Sequence, residues 1–141
     1  MAKRVITLRG TPIIDEESVA AVAITPGMLV NFDVNGDLVP HATADGKAPA
    51  VFAHERDEMG DDIDVAYAVG DTVKVGSYSP GQRVLAIVAS GVNVAKGAFL
   101  TSAGTGKLKA GAGAGVIVGQ AMEDLDNSAG PGDARIRVKI V

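Results

Sequence analysis

The side chains able to do chemistry are few, and their spacing fits no complete site. His41 and His54 are the two histidines, and both sit in loop-like segments. A serine hydrolase would need one of them beside a Gly-x-Ser-x-Gly elbow, which the chain lacks. Ala103-Gly-Thr-Gly-Lys107 ends like a phosphate-cradling loop. Thr101 occupies the first glycine position, however, and Leu108 stands where a Ser or Thr is required. Gly111-Ala-Gly-Ala-Gly115 is glycine-rich without the βαβ setting of a dinucleotide loop. Asp124-Leu-Asp-Asn-Ser128 begins like a calcium loop, but its twelfth position is Arg135, where a bidentate Glu is needed. Lys107 and Lys109 lack the flanking residues of a lipoyl or biotin attachment turn. Asp57, Glu58, Asp61, Asp62 and Asp64 form an acidic run that reads either as a divalent-cation cluster or as a solvated loop. With no cysteine there is no thiolate ligand, disulfide or cysteine nucleophile. The expectation is a protein that is not an enzyme and has no catalytic, cofactor or metal residues.

The elements around these residues carry a clearer signal. Val22-Ala-Ile-Thr-Pro-Gly27-Met-Leu-Val30, followed by an Asn35-Gly36 turn and Leu38, recurs 70 positions later. The second copy is Val92-Asn-Val-Ala-Lys-Gly97-Ala-Phe-Leu100, with a Gly104-Thr-Gly106 turn and Leu108. Apolar matches are common in a chain that is 47% hydrophobic, so the glycines at turn positions carry the weight. Repeated strand-turn-strand units with no catalytic residues between them point to a scaffold. Gly27, Gly36, Gly70, Gly97, Gly106 and Gly119 are expected to be structural turn glycines.

The rest of the chain reads as β structure. Val73 and Val75 alternate with Thr72 and Lys74, the pattern of a half-buried strand. Arg83 to Ala89 is nearly all apolar and reads as a central strand. Arg135-Ile-Arg-Val-Lys-Ile140 alternates basic and apolar residues. Turns recur every eight to twelve residues, and no helical period persists, although Glu16 to Ala23 would tolerate a helical turn. The expected fold class is all-β: a compact barrel or β-tulip-like domain over residues 21–141, preceded by an extended N-terminal arm over 1–20. An edge strand of the main sheet is the alternative reading of that arm.

Composition narrows the partners. Net charge is -4 and aromatics are 4%, which disfavours nucleic acid, whose binders carry basic patches and stacking rings. No run of 18 apolar residues exists, so no membrane span is expected. A core of Gly, Ala and Val contributes less per residue than one of Leu and Phe. Oligomerisation is one way to bury more surface.

With those residues in view, the chain resembles the small decoration, or cement, proteins of tailed-phage capsids. The matching segments are Ile24-Thr-Pro-Gly-Met-Leu-Val30, Tyr67-Ala-Val-Gly-Asp-Thr-Val73, Val92 to Thr101 with Gly106-Lys-Leu108, and Val118-Gly-Gln-Ala-Met-Glu-Asp124. The resemblance implies a homotrimer at threefold and quasi-threefold positions on the outer surface of an expanded capsid. It implies a protein made in the host cytoplasm that stabilises the virion by cross-linking the major capsid protein. Lys3, Arg4, Val5, Ile6, Leu8 and Arg9 are the expected capsid contacts, through strand addition or by meeting acidic shell surface. Two other classes stay open: a carbohydrate- or receptor-binding β module, and a small oligomeric enzyme using His54 and the acidic loop 55–64.

Overall fold

The computed structural model describes residues 5–56, 59–60, 62–111, 116–129 and 132–141. Among the described residues, thirteen strands run in chain order. They are β1 (Thr7–Arg9), β2 (Ile14–Val19), β3 (Val30–Phe32), β4 (Leu38–Pro40), β5 (Val51–Ala53), β6 (Thr72–Ser77) and β7 (Arg83–Val88). The remainder are β8 (Asn93–Val94), β9 (Phe99–Ser102), β10 (Leu108–Ala110), β11 (Gly119–Ala121), β12 (Leu125–Asp126) and β13 (Ala134–Ile140). There is no α-helix among the described residues. Residues 16–19, where a helical turn was tolerated, extend as β2 because they pair with β6.

The second half closes on itself. β7, β10, β9, β11 and β13 pair in that order, and β13 returns to β7, giving a five-stranded barrel. The first half repeats this arrangement strand for strand. Hairpin β3–β4 pairs Val30 with Pro40 and Phe32 with Leu38, and hairpin β9–β10 pairs Leu100 with Ala110 and Ser102 with Leu108. The Leu29–Phe52 bridge matches Phe99–Gln120, Ile24–Tyr67 matches Val94–Leu125, and the parallel Ala20–Leu38 bridge matches Val88–Leu108. β5 on β6 matches β11 on β13, and β2 on β6 matches β7 on β13. The sequence repeat therefore extends well beyond its hairpins, from β2 to β13.

The core divides into two clusters, and the second also takes in Ile6, Leu29, Phe52, Ile63 and Tyr78 from the first half of the chain. The first gathers Ala20, Ile24, Val30, Leu38, Val51, Ala53, Tyr67, Val73 and Val75. The equivalent positions Val88, Val94, Leu100, Leu108, Ala121, Ile136 and Val138 belong to the second core. Where the first half pairs Val51 with Ser77, the second pairs Gly119 with Ile140, so a large side chain changes strands. Gly119 has no room for a side chain. It lies inside strand β11 rather than in a turn, and a Cβ there would stand 2.4 Å from Val138 Cγ1. Gly27, Gly36, Gly70, Gly97 and Gly106 all adopt positive φ, between 74° and 94°, at turns.

The segment expected as an arm is paired into the sheets. β1 lies antiparallel on β7, with Leu85 N–H donating to Ile6 O at 2.8 Å, and β2 lies on β6. Ile6 is fully buried in the second core.

Candidate interaction surface

The charged residues of the two halves gather into faces of opposite sign. On the second half, Arg9 of β1 stands opposite Arg83 of β7, and Arg83 stands opposite Lys139 of β13. Like charges directly opposite on adjacent strands repel. A row of three like charges therefore costs the fold some repulsion. Leu8, Arg9, Arg83, Lys96, Met122 and Arg137 line a groove of about 430 Å³ on this side. Glu123 pairs with Arg137 there.

Of the expected contact residues, the structure brings Leu8 and Arg9 to this groove. Val5 is 46% exposed, Ile6 is in the core, and Lys3 and Arg4 lie outside the described residues. Arg83, Lys96 and Arg137 were not singled out from sequence. Arg137 looks like the polar side of an ordinary alternating strand, Arg83 opens an apolar one and Lys96 sits in a turn, so only the folded structure shows that they converge.

On the first half, β2 is exposed at every residue but Ser18, and it carries Asp15, Glu16 and Glu17. These three, with Thr7, Gly10, Thr11, Pro12, His54, Lys74 and Val75, line a groove of about 520 Å³. Among the described residues, ten of the thirteen exposed large hydrophobics precede position 70, including Ile13, Ile14, Val19, Val34 and Val69.

The suspected catalytic groups have structural partners. His41 is buried, its Nε2 donates to Lys47 O at 3.0 Å, and its Nδ1 accepts from Ser102 Oγ at 2.7 Å. That order follows because the Lys47 carbonyl can only accept. Ser102 is equally buried, so the pair is sealed from any substrate. His54 Nε2 meets the Tyr78 hydroxyl at 2.8 Å, and Tyr78 meets Thr7 Oγ1 at 2.6 Å. Burial pushes the Tyr78 phenol up to about 12, so it stays protonated and ties β1 to β6. Gly76 makes room for this arrangement, because a Cβ there would lie 2.5 Å from His54 Nε2.

The acidic loop is an insertion. Thirteen residues separate Ala53 from Tyr67, but only three separate the equivalent Ala121 from Leu125. Its described members are tied down. Glu55 accepts the Ile6 N–H at 3.0 Å, Arg56 pairs with Asp71 at 2.6 Å and lies over the Tyr67 ring, and Asp64 pairs with Arg135 at 2.8 Å. Asp57, Glu58 and Asp61 lie outside the described residues. Among the described residues, no group of three His, Cys, Asp or Glu side chains is placed to hold a metal. Asp126, in the calcium-like run, accepts from the Ser128 backbone and hydroxyl, and this holds its carboxyl below the usual range. Lys107, in the phosphate-loop-like run, pairs with Asp133 at 2.8 Å.

No protein-family model and no curated protein matches the sequence. Among solved structures, the chain is similar to the head fiber gp8.5 N base of bacteriophage phi29. The TM-score is 0.59 and the identity 14%, over 91% of this chain and 93% of that one. At that identity the likeness is one of fold, and the all-β compact barrel architecture is shared over nearly the whole of both chains.

Proposed function

We propose that the protein is a non-enzymatic structural component of a phage head, which docks as a trimer on the outer surface of an expanded capsid and stabilises it by cross-linking major capsid subunits. The observation that carries this reading is the end-to-end fold match to a phage head fiber base, joined to the decoration-protein segments in the sequence. The row Arg9–Arg83–Lys139 and the neighbouring Arg137 form the shell-facing surface, together with Val5, Leu8 and the preceding Lys3 and Arg4. Their partner is an acidic face of the major capsid protein. Binding only to the expanded lattice stabilises that lattice by mass action, and each further contact of a trimer gains from effective concentration.

Deleting the first residues is a poor test, because Ile6 belongs to the core. Charge reversal is cleaner. Arg9→Glu with Arg83→Glu removes two cations without emptying the core, and is expected to weaken co-sedimentation with expanded capsids at least tenfold. Unchanged capsid binding by the folded double variant would remove the basic row from the interface.

A further inference from the structure

β2 and β7 are equivalent strands in the two halves, yet their surroundings differ. β7 is flanked by β13 on one side and by β1 on the other, and all but its first residue are buried. β2 is flanked by β6 along its length, and on its other side β4 reaches only its C-terminal end, through the Ala20–Leu38 bridge. The equivalence identifies which backbone groups this leaves open. Ala20 N–H bonds Asp71 O, and Gln82 O accepts from Ile140 N–H, so even-numbered residues of both strands face the inner partner. In an antiparallel ladder the odd-numbered ones then face outward. On β7 that outward edge is filled: Leu85 N–H donates to Ile6 O, and Ile87 N–H to Gly27 O. The β2 counterparts are Glu17 and Val19. The Ala20–Leu38 bridge, with Ala21 N–H donating to Leu38 O, closes the Val19 end of that edge, whereas Glu17, like Asp15 before it, meets no strand on that side among the described residues.

We propose that the outer edge of β2 is a strand-addition site for an extended, cationic segment of a partner protein. The first argument is what fills the equivalent edge of β7. It is a short extended segment, Val5-Ile-Thr-Leu-Arg9, preceded by Lys3 and Arg4. The second is charge. β2 carries three carboxylates and no cation, and the groove along it adds Lys74, which stands opposite Glu17 in register. Main-chain hydrogen bonds supply affinity in this mode, and side chains supply selectivity. Exposed Ile14 and Val19 at the two ends of β2 offer apolar contacts. Two β2 edges pairing with each other would set these carboxylates against their own copies, which disfavours a self-contact. The proposal uses the protein alone, so its failure would leave capsid docking by the basic row untouched.

The probe is a labelled synthetic peptide of residues 3–11, the chain's own segment of this type, titrated against the intact protein by fluorescence anisotropy. Saturable binding that weakens at least threefold in high salt is expected. Glu17→Pro removes the outward N–H while leaving the ladder to β6 in place, which edge strands tolerate. It is expected to weaken binding at least tenfold. Asp15→Lys with Glu17→Lys, which keeps every backbone donor, is expected to do the same, and unchanged thermal unfolding confirms that both variants are folded. Absence of peptide binding to the wild type, or equal binding to the folded variants, would overturn the proposal. Concentration-dependent self-association of the wild type that Glu17→Pro abolishes would assign the edge to a second copy and overturn the assignment to a separate partner.

Discussion

Gly27 and Gly97 make the same hydrogen bond in the two halves of the chain. Gly27 N–H donates to Ala53 O at 2.9 Å, and Gly97 N–H donates to Ala121 O at 2.8 Å. The return bonds match as well, from Ala53 N–H to Met28 O and from Ala121 N–H to Ala98 O. Both glycines have positive φ, which L side chains adopt at a cost of about 1–2 kcal/mol. The two halves thus share a backbone plan down to single bonds, and their functional differences lie in what was added to each.

The equivalent turn glycines Gly36 and Gly106 should respond unequally to alanine. Both have positive φ, but nothing lies within 4 Å of a Cβ on Gly36, whereas one on Gly106 would meet Pro40 Cβ at 2.9 Å and Leu29 O at 3.2 Å. Gly36→Ala is expected to cost about 1–2 kcal/mol from strain alone. Gly106→Ala adds overpacking of about 1–3 kcal/mol. Urea unfolding of the two variants checks the order.

Leu38 and Leu108 hold the same place in separate cores, and both are fully buried. Truncating either to alanine should cost about 2–5 kcal/mol. Because the two clusters share no member, the effects should add to within about 0.5 kcal/mol. A larger coupling in the double-mutant cycle would show that the clusters do not pack independently.

Tyr78 sets an alkaline limit on stability. Burial raises its pKa from 10.0 to about 12 in the folded chain. Between those values the unfolded chain releases the phenolic proton and the folded chain keeps it, so stability falls as pH rises through that window. Thermal midpoints should decline there in the wild type, and Tyr78→Phe should flatten the decline. The same variant removes the partner of His54 and Thr7, lowering stability at neutral pH by about 1–3 kcal/mol.

Asp71 acts at the opposite end. The Ala68 N–H and then the Arg56 guanidinium hold its carboxyl below the ordinary aspartate value of 3.8. Its contribution is complete above that value and is lost as pH falls through the lower folded-state value. Asp71→Asn should therefore be less acid-sensitive than the wild type below pH 3.8 while being less stable at neutral pH. Carboxyl NMR titration of Asp71 checks the direction.

Much of this fold is legible in the sequence because turn glycines and alternating strands are local signals. Gly27, Gly36, Gly97 and Gly106 mark the repeat, and Arg83–Val88 reads as central because both of its faces are apolar. The matching of β2 with β7 is not legible. Asp15-Glu-Glu17 and Arg83-Val-Leu85 share no chemistry, and only their pairing with β6 and β13 reveals the equivalence. Pairing also hid the basic row, since Arg9, Arg83 and Lys139 are far apart in the chain and meet only through register. Tyr67 sits beyond an inserted loop, so its equivalence to Leu125 needed the bridge to Ile24.

The central claim is docking on an expanded phage head. The direct measurement is co-sedimentation of the purified protein with expanded, undecorated capsids from the same source, with unexpanded shells as control. The account predicts saturable binding to expanded shells, weakened by charge reversal at Arg9 and Arg83, and none to unexpanded ones. Failure to bind either shell would contradict it.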